Sequence, residues 1–125
     1  HQLAAALVTG FGRDLIVPVP VIAEADHLVR SRVGPGAARL LLGAIAAGEH
    51  RVAELTPALL RRAAEIDAQH ADLDLGFVDA AVMAIAERHE LPILTFDFGH
   101  FRATRPWSGY WRLVVDEARY ADETG

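Results

Sequence analysis

Leu15-Ile16-Val17-Pro18-Val19 is a short β-branched run through which no polar residue alternates. A strand of that kind offers no face to water, which suits a parallel strand covered on both sides. The rest of the chain alternates with it. Residues 1–9 read as the end of a helix stopped by Gly10-Phe11-Gly12, and Pro20 opens a helix to about Val33. Gly34-Pro35-Gly36 breaks that helix, and Ala37–Ala47 forms a second, apolar one closed by Gly48. Arg51–Leu55 reads as a strand. Thr56 then caps a helix that starts at Pro57 and runs to about His70. After a polar stretch over Ala71–Leu75 comes a helix over Gly76–Glu90, a strand over Pro92–Phe96 ending at Asp97, and a last strand over Trp111–Val115. Residues 116–125 form a polar tail, expected to be loose. Strands alternating with helices predict an α/β fold with a parallel sheet and helices on both faces. With no repeat, low-complexity stretch or linker, residues 1–125 are expected to form one domain.

Composition removes several classes of function. Apolar residues make up 52% and charged ones 23% of the 125, which excludes disorder, a collagen repeat and a coiled coil. There is no cysteine, so disulfides, zinc ribbons and thiol nucleophiles are absent together. The absence also fits a reducing compartment, and the expected location is the cytoplasm. The longest apolar run, Leu15–Ala23, contains two prolines and is too short to span a bilayer. Twelve basic residues, all arginine, face 17 acidic ones, a net charge of −5. A protein held to nucleic acid by phosphate contacts alone is usually basic. The first residue is His1 and no signal-peptide pattern follows it, so the beginning reads as truncated or processed.

The acids carry the chemistry. In open parallel sheets ligands gather beyond the carboxyl ends of the strands, and three acidic positions lie near such ends. Asp79 is the one charge in the decade Phe77–Ala86. At roughly 100° per residue, Val82, Met83 and Ala86 bracket it, so no polar face carries it. A carboxylate in a helix apolar all round calls for a partner or a metal; the duller account is an acid tolerated near a helix start. Asp97 follows the strand Leu94-Thr95-Phe96, from which a carboxylate can reach the crevice, although a turn aspartate before Gly99 would look the same. Glu24 and Asp26 lie early in the helix after the first strand. Ile22, Ala25, Val29 and Val33 define its core stripe, widened by Val21 and Leu28, and each acid sits at one edge of it. The wheel does not choose between them.

Weaker candidates surround these. The six histidines form no i, i+4 ligand pair, and Asp72 and Asp74 suit turn or capping roles. Arg102, Arg105 and Arg112 interleave with Phe101, Trp107, Tyr110 and Trp111, a set suited to phosphate contact and base stacking, or simply to half-buried aromatics beside solvated arginines. Thr95 could orient a metal-bound water or carboxylate, or serve only as a strand threonine.

Taken in order, Val21-Ile22-Ala23-Glu24-Ala25-Asp26-His27-Leu28-Val29, Gly76-Phe77-Val78-Asp79-Ala80-Ala81-Val82 and Leu94-Thr95-Phe96-Asp97 with His100-Phe101 resemble the acidic motifs of the PIN-domain nucleases. The nearest likeness is to the VapC-type toxins of bacterial type II toxin–antitoxin systems, over about Leu15 to Val115. The resemblance implies a three-layer sandwich with a central, mostly parallel sheet. It implies a metal-dependent endoribonuclease in which Glu24, Asp79 and Asp97 match three acids that hold Mg²⁺ or Mn²⁺, the metal activating water against an RNA phosphodiester. Hard divalent cations prefer such carboxylate oxygens, and a bound cation would reverse the sign of an acidic pocket. It also implies a homodimer, a cognate VapB-type antitoxin and no membrane association. The family places its first acid, an Asp, at the end of an amino-terminal strand that this chain does not contain. That strand and much of the next helix are therefore expected to be missing, leaving poor metal binding and an exposed sheet edge.

Two other classes are weighed beside the nuclease. A catalytically silent PIN-like module that binds RNA or protein would take up no metal through its carboxylates. A receiver-like signalling domain needs paired acids after its first strand and a lysine, and the chain has no lysine.

Overall fold

The computed structural model describes residues 12–93. The expected elements over 1–9, 94–96 and 111–115, the turn at Gly10-Phe11, the tail 116–125, and with them Thr95, Asp97 and the arginine–aromatic stretch, lie outside the described residues. The chain divides into two compact units, with the boundary between Leu55 and Thr56.

In the first unit a 3-10 turn over Gly12–Asp14 leads into β1 (Ile16–Pro18), then α1 (Val19–Arg32), α2 (Pro35–Ala46) and β2 (Arg51–Ala53). β1 and β2 pair in parallel, with Ile16 opposite Arg51, Val17 opposite Val52 and Pro18 opposite Ala53. Two helices thus connect adjacent parallel strands, the crossover that an α/β fold requires. Both strands are shorter than the segments expected, Leu15–Val19 and Arg51–Leu55. The helix starts at Val19 because Pro20 fits a first turn, where its missing N–H has no intrahelical partner to lose.

The three-residue break expected at Gly34-Pro35-Gly36 falls instead on the two residues Val33-Gly34. Gly34 takes φ of 144°, and Pro35 is already the first residue of α2. The far end of α2 closes as foreseen on Gly48, at φ of 85°. Gly48 donates to the Ile45 carbonyl at 3.1 Å and Glu49 to that of Ala44 at 3.2 Å, the paired bonds of a Schellman motif. The core stripe foreseen on α1 fares less well. Val21, Ile22, Ala25 and Val29 are half-buried, but Leu28 is exposed and Val33 is 75% exposed. Val33 is the residue after the last helical one, with φ of −113°, so the wheel that placed it on the stripe no longer applies.

The second unit begins with α3 (Pro57–Gln69), a 3-10 turn over Ala71–Leu73, and α4 (Gly76–His89). The Thr56 hydroxyl accepts the Leu59 N–H at 3.2 Å, the cap predicted from Thr56-Pro57. α3 ends at His70, whose N–H reaches the Ile66 and Asp67 carbonyls and whose Nδ1 lies 3.0 Å from the Ile66 oxygen. Packing concentrates on α4. Ala80, Ala81, Met83, Ala84, Ile85 and Ala86 are all buried, as are Ala63 and Ile66 of α3. Ile93, in the expected third strand, is bridged and buried. Among the described residues no helix is long and apolar enough to cross a membrane.

Candidate active site

Asp79 stands in the first turn of α4. The chain reaches that turn through two left-handed residues, Asp74 at φ of 49° and Gly76 at φ of 81°. A β-carbon on Gly76 would meet nothing within 4 Å, so the glycine answers to backbone conformation and not to space. Asp79 is half-buried, with Ala80 and Ala81 buried behind it. Met83 and Ala86, foreseen as its neighbours on the helix, are buried, and Val82 is half-buried. The apolar surround read from the sequence is therefore real.

Glu24 and Asp26, which the wheel could not separate, differ in their partners. Arg30 grips Asp26 one turn on, Nη2 at 2.9 Å from Oδ1 and Nε at 3.4 Å from Oδ2. That hydrogen bond holds the Arg30 guanidinium above its ordinary pKa. Glu24 is exposed and makes no side-chain hydrogen bond or ion pair among the described residues. Glu24 belongs to the first unit and Asp79 to the second, while Asp97 lies outside the described residues. Among the described residues no three carboxylate or imidazole groups gather into a metal site. As donors, carboxylate oxygens suit Mg²⁺ or Mn²⁺. Of the two early acids Asp26 is already neutralised by an arginine, and Glu24 is not.

A part-buried charged pair in the second unit was not foreseen. Arg62 of α3 meets Glu87 of α4 as a fork, Nε to Oε1 at 2.7 Å and Nη2 to Oε2 at 3.1 Å. Its Nη1 binds Glu65 at 3.2 Å. The Glu87 side chain is 3% exposed and that of Arg62 14%. The Glu87 hydrogen bond is the chief cause that raises the Arg62 pKa. A signal for Glu87 was present: it lies three and four residues after Ala84 and Met83, in the same apolar setting that singled out Asp79.

Comparison with known proteins decides the family. The PIN domain family model matches residues 1–105. Over 110 residues, 87% of this chain and 82% of the relative, the sequence is 34% identical to Ribonuclease VapC26 of Mycobacterium tuberculosis. The chain belongs to the PIN-domain family. As a VapC-type PIN domain it is an α/β protein, and the parallel pairing of β1 with β2 across two helices agrees with that. In this PIN domain Asp79 falls within the span that the family model matches, as do Glu24 and Asp97.

Proposed function

We propose that this PIN domain is a divalent-metal-dependent endoribonuclease acting as the toxin of a type II toxin–antitoxin pair in the cytoplasm. The observation that carries the reading is the 34% identity to a VapC ribonuclease along most of both chains. The half-buried Asp79 at the head of an otherwise apolar helix supports it from the side of chemistry. Glu24, Asp79 and Asp97 are the acids that hold Mg²⁺ or Mn²⁺. When bound, the ion supplies Lewis-acid stabilisation of the phosphodiester and a water acidified enough to attack. Asp79 contributes a carboxylate whose position is fixed by the buried helix beneath it. Glu24 contributes an oxygen that no arginine competes for among the described residues, whereas Asp26 is engaged with Arg30. Residues 1–125 act as one PIN-like domain, the active protein is a homodimer, and a VapB-type antitoxin neutralises it. An antitoxin arginine forking onto the acids would be a sensible means of inhibition.

Asp79→Asn tests the reading most directly. The variant keeps the size and polarity of the side chain while removing the charge. It is expected to fold normally by circular dichroism, to lose cleavage of total cellular RNA in Mn²⁺, and to relieve growth arrest on expression. Retained cleavage together with retained arrest would remove Asp79 from the site.

A further inference from the structure

The Arg62–Glu87 fork lies outside the acidic motifs, and its shape points to a task beyond holding two helices together. Five of the eight buried apolar residues of α3 and α4 are alanine, Ala63 on one helix and Ala80, Ala81, Ala84 and Ala86 on the other, beside Ile66, Met83 and Ile85. Alanine has no side-chain rotamer and forms no deep knob, so a face in which it predominates leaves the register to a few larger side chains and to polar contacts. A one-residue slip moves a helix by about 1.5 Å along its axis. The fork does not tolerate such a slip, because its two N–H···O bonds, at 2.7 and 3.1 Å, depend on a planar guanidinium facing a planar carboxylate. Glu65 occupies the remaining nitrogen of Arg62 from its own helix, three residues on. A buried ion pair adds little stability over a well-packed apolar pair, and fixing register is the best-attested reason to retain one.

We propose that Arg62 and Glu87 are positioning residues: the fork pins α4 in one register against α3 and thereby sets the height of Asp79, eight residues before Glu87 on the same helix. The proposal rests on the reading of Asp79 as a metal-holding acid. Neither Arg62 nor Glu87 need touch substrate or metal. Their effect reaches the site through the axis of α4, about 12 Å long between the two acids.

The test is the apolar replacement Arg62→Met with Glu87→Met, made in the full chain beside Asp79→Asn. Mn²⁺ binding is followed by electron paramagnetic resonance of the free ion, RNA cleavage by single-turnover kinetics, and folding by urea titration. The double variant is expected to unfold cooperatively at a urea midpoint no lower than the parent, yet to bind Mn²⁺ about tenfold more weakly, the range seen when support around a ligand is lost. A purely structural role would leave Mn²⁺ affinity unchanged in a protein of unchanged stability, and that result overturns the proposal. Arg62→Lys, which keeps the charge but not the fork, replaces the double variant should that fail to fold; weaker Mn²⁺ binding is expected again, and unchanged binding again overturns the proposal. If Asp79→Asn still binds Mn²⁺ and cleaves RNA like the parent, the reading of the site fails and the proposal with it. If Asp79→Asn is dead and the Met pair is indistinguishable from the parent, only the positioning role is lost.

Discussion

A buried or half-buried acid in an apolar helix has two outcomes, and α4 contains a candidate for each. Glu87 has the simpler one: an arginine from another helix takes both its oxygens. Asp79 shares the apolar setting and sits in the first turn of the same helix. Burial of a carboxylate therefore does not by itself signify a metal, and the proposal for Asp79 rests also on the motif in which it stands. The early acids make the complementary point. The i, i+4 spacing of Asp26 and Arg30 was present in the sequence, and that spacing alone licenses an ion pair. With Asp26 so occupied, Glu24→Gln is expected to lower RNA cleavage at least tenfold, while Asp26→Asn, which removes only a pair to an exposed arginine, changes it less than about twofold. Side-by-side initial rates in Mn²⁺ check this, and equal losses for both variants would return the choice to where the helical wheel left it.

At the scale of elements, the α3–α4 pair carries most of the packing among the described residues of the second unit, and the fork is its costly point. Arg62→Leu takes the guanidinium fork away from the Glu87 carboxylate, which is 3% exposed. The expected loss is about 3–5 kcal/mol, typical of breaking a buried pair by removing one partner. Urea unfolding of the variant measures it. The sign of the pH effect follows from the raised pKa of Arg62. A raised basic pKa gives a contribution fully present below the unfolded value and lost only as pH climbs through the folded one. Since both lie at strongly alkaline pH, the urea midpoint difference between parent and Arg62→Leu should stay flat across the neutral range. Element boundaries, by contrast, were legible to within a residue or two, because the devices that set them act within one turn of helix. Thr56, Pro57 and Gly48 each perform the role their position announced. Pro35 departed from expectation because a proline after a glycine suits a helix start as well as a break.

For the whole molecule, the family and the α/β class follow from the comparisons and from β1 pairing in parallel with β2 across two helices. Chelation belongs to this scale, since it acts on the assembled site and not on one residue. Treating the protein with EDTA is expected to abolish RNA cleavage, with Mn²⁺ or Mg²⁺ in excess restoring it and Ca²⁺ restoring less, given its looser and larger coordination shell. Cleavage that survives exhaustive chelation would exclude the metal. A net charge of −5 makes the same demand from another direction, as an acidic protein needs cations or a local patch of arginine to meet a phosphate backbone.

Over the described residues the sequence by itself determined the order of the helices and strands, the caps at Thr56 and Gly48 and the apolar character of α4, because propensity, capping and periodicity are interactions between residues a few positions apart. It also placed Asp79 at the head of that helix. Tertiary structure decided what local rules cannot reach: that Glu87 is matched by an arginine 25 residues away, and that Val33 and Leu40, apolar in the reading of their helices, are 75% and 78% exposed. A pairing over that distance depends on how two helix axes cross, and exposure depends on what lies opposite. Neither quantity is a property of any short window of sequence.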